Sequence, residues 1–160
     1  MANVELTLPP LPAHVRTARL VVVAAARRAG LDDSLVDELR LALGEACSRA
    51  VGLHQKHAAG TPVRVTVTDD ATGLTVTVVD EGPAAEPASG DLASELLDSA
   101  ADDDMYDLVD PDVSLAVLSG LVDDCEIEVT GSGTTVTMHW PLPPRPVGAS
   151  GPGGTAVSQA

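Results

Sequence analysis

Val4, Leu6 and Leu8 alternate with Glu5 and Thr7, a period of two that marks a half-buried strand, and Pro9, Pro10 and Pro12 end it at the border of a sheet. From Ala13 to Ala29 the period becomes helical: Val15, Leu20, Val22, Val23 and Ala26 recur among arginines, and Gly30 provides a C-terminal cap. Asp32 or Asp33 can cap a second, longer helix through Leu35, Val36, Leu39, Leu41, Leu43, Ala46, Ala50 and Leu53, which frays between His54 and Gly60. Two alternating runs follow, 63–68 and 74–79, joined by the Gly-bearing connection 69–73, and they predict an antiparallel hairpin. Residues 82–111 lose both periods around one weakly helical piece, 92–97, and are expected to form an acidic lid loop. Leu115, Val117, Leu118, Leu121 and Val122 predict a third helix. Strands 125–129 and 134–140 then close the domain around Gly131-Ser-Gly133.

The order is strand, two helices, two strands, lid, helix, two strands. It predicts an α+β two-layer sandwich in which about three helices lie on one face of a mostly antiparallel, mixed sheet. Residues 1–142 are expected to be one domain and residues 143–160 a disordered tail of Pro, Gly, Ser and Ala. The apolar run from Leu20 to Ala26 is too short for a membrane span, and the N-terminus does not read as a secretory signal, so the expected location is the cytoplasm. Cys47 falls in a helical pattern and Cys125 at the start of a strand, which suits two reduced core thiols.

Charge changes this picture because it is unevenly placed. Of the net −15, residues 1–64 carry eight Lys and Arg against six acidic residues, whereas residues 65–144 carry 18 acidic residues and no basic one. Such a field excludes nucleic acid and anionic membranes as partners and favours a basic protein surface. Acidic loops that simply keep the protein soluble would give the same composition. His54 and His57 stand at i and i+3 near a helix C-terminus, where the dipole accounts for them. No Cys or second carboxylate pair joins them, so no metal site is expected there. Neither a Gly-x-Ser-x-Gly elbow nor a phosphate-loop pattern occurs.

Three stretches, 39–51, 78–83 and 115–123, together resemble the anti-sigma-factor serine kinases, a branch of the gyrase, histidine-kinase and MutL-type (GHKL) ATPase superfamily. The resemblance runs nearly to Pro141. It implies a nucleotide site built from three pieces, and each is altered here. In Glu-x-x-x-Asn on the long helix, the Glu serves as general base and the Asn holds Mg²⁺. Glu45 is present, but Arg49 stands at the Asn position and offers only donors. Arg49 could pair with Glu45 one turn away, the simpler reading, or replace the metal against a phosphate. In Asp-x-Gly-x-Gly the Asp accepts from the adenine amino group; Asp80 and Gly82 match, and Ala84 replaces the second glycine. In the Gly-x-Gly-Leu turn that holds phosphate at a helix N-terminus, both glycines are gone, leaving Asp112 and Ser114. With 12 carboxylates from Asp80 to Asp112 and no basic residue among them, a triphosphate would meet repulsion on the order of a few kcal/mol per close pair.

The resemblance therefore implies a transcription regulator that binds a sigma factor, an anti-anti-sigma (STAS-type) protein or both, as a homodimer, with little or no ATP binding, no resident metal and no enzymatic activity. The alternative is an ATP-dependent serine/threonine kinase that phosphorylates an anti-anti-sigma protein, with Glu45 as base, Asp80 on adenine, and Mg²⁺ held by another group.

Overall fold

The structure, a computed structural model, describes residues 2–83 and 111–144. Its elements are strand β1 (Ala2–Leu8), helices α1 (Pro12–Ala29) and α2 (Asp33–His57), and strands β2 (Val63–Asp69) and β3 (Leu74–Asp80). Helix α3 (Pro111–Leu121) and strands β4 (Asp124–Thr130) and β5 (Gly133–Trp140) follow. Helix α1 starts on Pro12, whose missing N–H costs nothing in a first turn, and ends on Gly30 in the left-handed region at φ 95°. The Asp32 side chain caps α2 by accepting from the Ser34 amide at 2.9 Å.

The five strands form one sheet in the order β1-β2-β3-β5-β4, antiparallel at every pairing. The expected mostly antiparallel sheet is observed, with no parallel pairing among the described residues. Two helices between β1 and β2 bring the chain back to the end it left, so β2 runs against β1 rather than with it. Along β2 and β3 every second residue is buried, and Val63, Val65, Val67, Leu74, Val76 and Val78 meet α1 and α2 in the core. Val136, Met138 and Trp140 continue that layer on β5. The other face carries no helix among the described residues and is rich in threonine, with Thr66, Thr77 and Thr137 directly opposite one another across three strands. No helix among the described residues is long and apolar enough to cross a membrane.

The helical periods over-read three positions. Leu20 in α1 is 66% exposed, Leu41 in α2 61% and Val117 in α3 46%, so each helix buries a narrower stripe than its leucines and valines suggest. Both cysteines are free, Cys47 buried and Cys125 half-buried. The expected lid lies almost wholly outside the described residues, as do residues 145–160 of the tail.

Candidate functional site

Asp80 is the last residue of β3, and strand alternation turns its side chain to the helix-covered face together with Val76 and Val78. There it meets Arg49 of α2. The guanidinium Nη1 donates to Asp80 Oδ2 at 2.7 Å, with the two side chains only 4% and 2% exposed. Nη2 lies 3.4 Å from Thr134 Oγ1, on the β5 residue that pairs with Asp80 in the sheet register. The second carboxylate oxygen, Oδ1, accepts from the Gly82 amide at 3.1 Å. Each oxygen of Asp80 therefore already has a donor, and the buried negative charge has its counter-ion.

The expected Arg49–Glu45 pair does not form. Glu45 is exposed, whereas Arg49 lies at the inner edge of the helix, and its long side chain reaches down to the sheet. Residues four apart on a helix differ in azimuth by about 40°. At the margin of a buried stripe that rotation separates an inward group from an outward one, so these two do not converge on one ligand.

Sequence reasoning missed a second contact beside this pair. His54, read as lying at a fraying helix end and explained by the helix dipole, is fully buried. Its Nδ1 faces the Thr61 carbonyl oxygen at 2.7 Å, and its Nε2 accepts from the Glu81 amide at 2.8 Å. The carbonyl and the amide assign the tautomer: Nδ1–H donates and Nε2 accepts. One imidazole thus ties the end of α2 to the turn before β2 and to the residue after Asp80. The sequence carried no signal of this, because both partners of the ring are backbone groups of other segments.

Gly82 matches the position where the resembling family brings backbone to its ligand. Here an added Cβ would sit 2.9 Å from Leu53 Cβ, so contact with α2 already accounts for the glycine. Gly133 is tighter still. At φ 154°, its added Cβ would overlap the Asp80 carbonyl oxygen, which fixes the start of β5 against the end of β3.

Ser114 is buried within α3. Ala84 and the side chain of Asp112 lie outside the described residues. Among the described residues, no three His, Cys, Asp or Glu side chains group so as to hold a metal ion. The structure thus brings Arg49, Asp80, Gly82, Thr134 and His54 together at one end of the sheet and leaves Glu45 outside.

No curated protein is significantly similar to the chain. The family model of the histidine kinase-like ATPase domain, however, matches residues 8–140, a span that includes all three helices, the Arg49–Asp80 cluster and all of β5. This chain belongs to the histidine kinase-like ATPase domain family.

Proposed function

We propose that the chain is an anti-sigma-factor-like transcription regulator that acts by binding a sigma factor, an anti-anti-sigma protein or both, with little or no ATP binding. The single observation that carries this reading is the buried Arg49–Asp80 pair. By resemblance, Asp80 is the carboxylate that would read adenine, and Arg49 stands where the family holds its magnesium ligand. A carboxylate with both oxygens engaged has lost much of its capacity to accept from an adenine amino group. A guanidinium cannot ligate Mg²⁺, so the residues present do not fit a magnesium nucleotide.

A binding role asks for none of this chemistry. It asks for a rigid scaffold and a charged surface, and the acidic second half supplies a field that steers basic partners to it. The homodimer implied by the resemblance belongs to the same proposal.

Calorimetry with ATP and Mg²⁺ on the full chain tests the nucleotide half of the reading. The expected result is no binding heat, and micromolar affinity would instead restore the serine kinase. Affinity capture from the native host tests the other half, with a sigma factor or anti-anti-sigma protein as the expected catch and the absence of both as the result against it. Arg49→Asn alone is expected not to restore nucleotide binding, because the substitutions at Ala84, Asp112 and Ser114 remain.

A further inference from the structure

Strand β4 is an edge of the sheet, and among the described residues it pairs only with β5. Its seven residues, Asp124 to Thr130, have two distinct sides. Asp124, Glu126 and Glu128 stand on the open face, opposite His139, Thr137 and Thr135 of β5. Cys125, Ile127 and Val129 stand on the helix-covered face, opposite Met138, Val136 and Thr134. The cover on that side is incomplete: Cys125 and Ile127 are half-buried, and Val129 is 52% exposed.

Helix α3 continues this apolar margin. From Val113 to Val122 it has no charged residue, and Val113 and Val117, one turn apart, are both exposed. Only Val122 and Asp123 join α3 to β4, so the two elements run in opposite directions. The N-terminal turn of α3, with Val113, therefore shares an end of the sheet with Val129. Among the described residues, the margin combines unpaired strand-edge backbone, exposed valines on one side and a carboxylate at every second position on the other.

Unpaired edges recruit further strands unless something prevents it, and charged side chains are a common deterrent. Here the deterrent is selective. A second copy of β4, laid against the first with its apolar side toward α3, would set carboxylates beside carboxylates whichever way it ran. Opposite charges across a strand pair stabilise it, and like charges destabilise it. The other edge, β1, has no such arrangement, with only Glu5 between Asn3 and Thr7 on its open face.

We propose that β4 is a docking edge for an extended segment of a partner protein in which apolar residues alternate with Lys or Arg, added as a sixth strand. Backbone hydrogen bonds would hold it, its apolar residues would lie beside Ile127, Val129, Val113 and Val117, and its cations would lie beside Asp124, Glu126 and Glu128. The proposal deepens the protein-binding role above, but it does not depend on the state of the nucleotide site or on the partner being a sigma factor.

The test uses the full chain and synthetic eight-residue peptides with alternating Val and Lys. Binding is followed by calorimetry and by the amide signals of β4. The alternating Val-Lys peptide is expected to bind and to protect β4 amides from exchange. N-methylation of its alternate amides, or grouping its lysines together, should weaken binding by roughly tenfold or more, since several ladder hydrogen bonds or cross-strand pairs are lost. The variant Glu126→Lys/Glu128→Lys alters only exposed side chains and should prefer the corresponding Val-Glu peptide. No binding, equal binding of the lysine-grouped or N-methylated peptides, or an unchanged preference in that variant would overturn the proposal. Two further outcomes would do the same: β4 amides already protected in the free chain, which would place the chain's own residues on the edge, or a dimer lost in the double variant, which would place a second copy there. Nucleotide calorimetry is independent of all these arms, so a failed docking edge and a failed reading of the nucleotide site are told apart.

Discussion

Helix α2 is tied to the sheet at both ends, and the two ties differ in kind. Near its C-terminal end, Arg49 and Asp80 form a charge pair removed from water on both sides. Near its N-terminal end, half-buried Glu38 accepts from the indole Nε1 of Trp140 at 2.9 Å, so a charge that still touches solvent meets a neutral donor. The buried pair repays the desolvation of two ions and contributes little net stability over a well-packed apolar pair, yet breaking it strands a charge. The half-buried bond costs less to form and less to lose. Strength on disruption is therefore a poor guide to net contribution.

Removing one ion from the buried pair should have the largest effect. Arg49→Met leaves the Asp80 carboxylate buried without its counter-ion and is expected to lower stability by about 3–5 kcal/mol, whereas Arg49→Met/Asp80→Leu should recover most of that loss. Urea titration followed by the fluorescence of Trp140, the single Trp and a buried one, measures both. A single variant as stable as wild type would show that Asp80 finds another partner and would remove the main support for the binding reading.

His54→Ala comes next. It takes away the group between the Thr61 carbonyl and the Glu81 amide, and at about 1–2 kcal/mol for each polar group left without its partner it should cost about 2–4 kcal/mol. Amide exchange at Glu81 should accelerate along with the shift in the urea midpoint. Glu38→Ala at the other tie should cost only about 1–2 kcal/mol, as one hydrogen bond to a charged acceptor is lost, with a change in Trp140 emission. Equal costs for Glu38→Ala and Arg49→Met would erase the distinction between the two ties.

Acid offers a smaller, signed effect at the turn between β2 and β3. The Thr72 hydroxyl, then the Thr72 amide, hold the Asp70 carboxyl below its ordinary value, with a smaller contribution from His139. A folded-state pKa below the unfolded one gives stability that is present above the unfolded value and lost as pH falls through the folded one. Asp70→Asn should therefore weaken the protein near neutrality, and the difference from wild type should vanish in strong acid. The smallest effect concerns the thiols. Burial pushes Cys47 up to about 12 against an opposing pull from Arg19, so the native chain should resist alkylation at mildly alkaline pH until it unfolds.

Much of the fold was legible because its signals are local. The strand of Val4, Leu6 and Leu8, the caps at Asp32 and Gly30 and both hairpins rest on periods and turn residues within a few positions of one another. Leu20, Leu41 and Val117 misled because a helix records apolar character, not which part of an apolar face finds a neighbour. Arg49 was identified as a substituted site position and Asp80 as a retained one, yet their bond was not, since helix spacing favours a partner four residues away over one 31 residues away.

By itself, then, the sequence determined the elements, the antiparallel hairpins, the acidic second half and the places where the site departs from the family pattern. Only the tertiary structure decided that Arg49 turns inward to Asp80 and that His54 joins three segments, and it alone left β4 at an edge beside exposed valines. The physical reason is range. Periodicity, capping and turn chemistry act within a turn or a hairpin, whereas the partner of a buried charge and the exposure of a strand edge depend on how distant elements are packed.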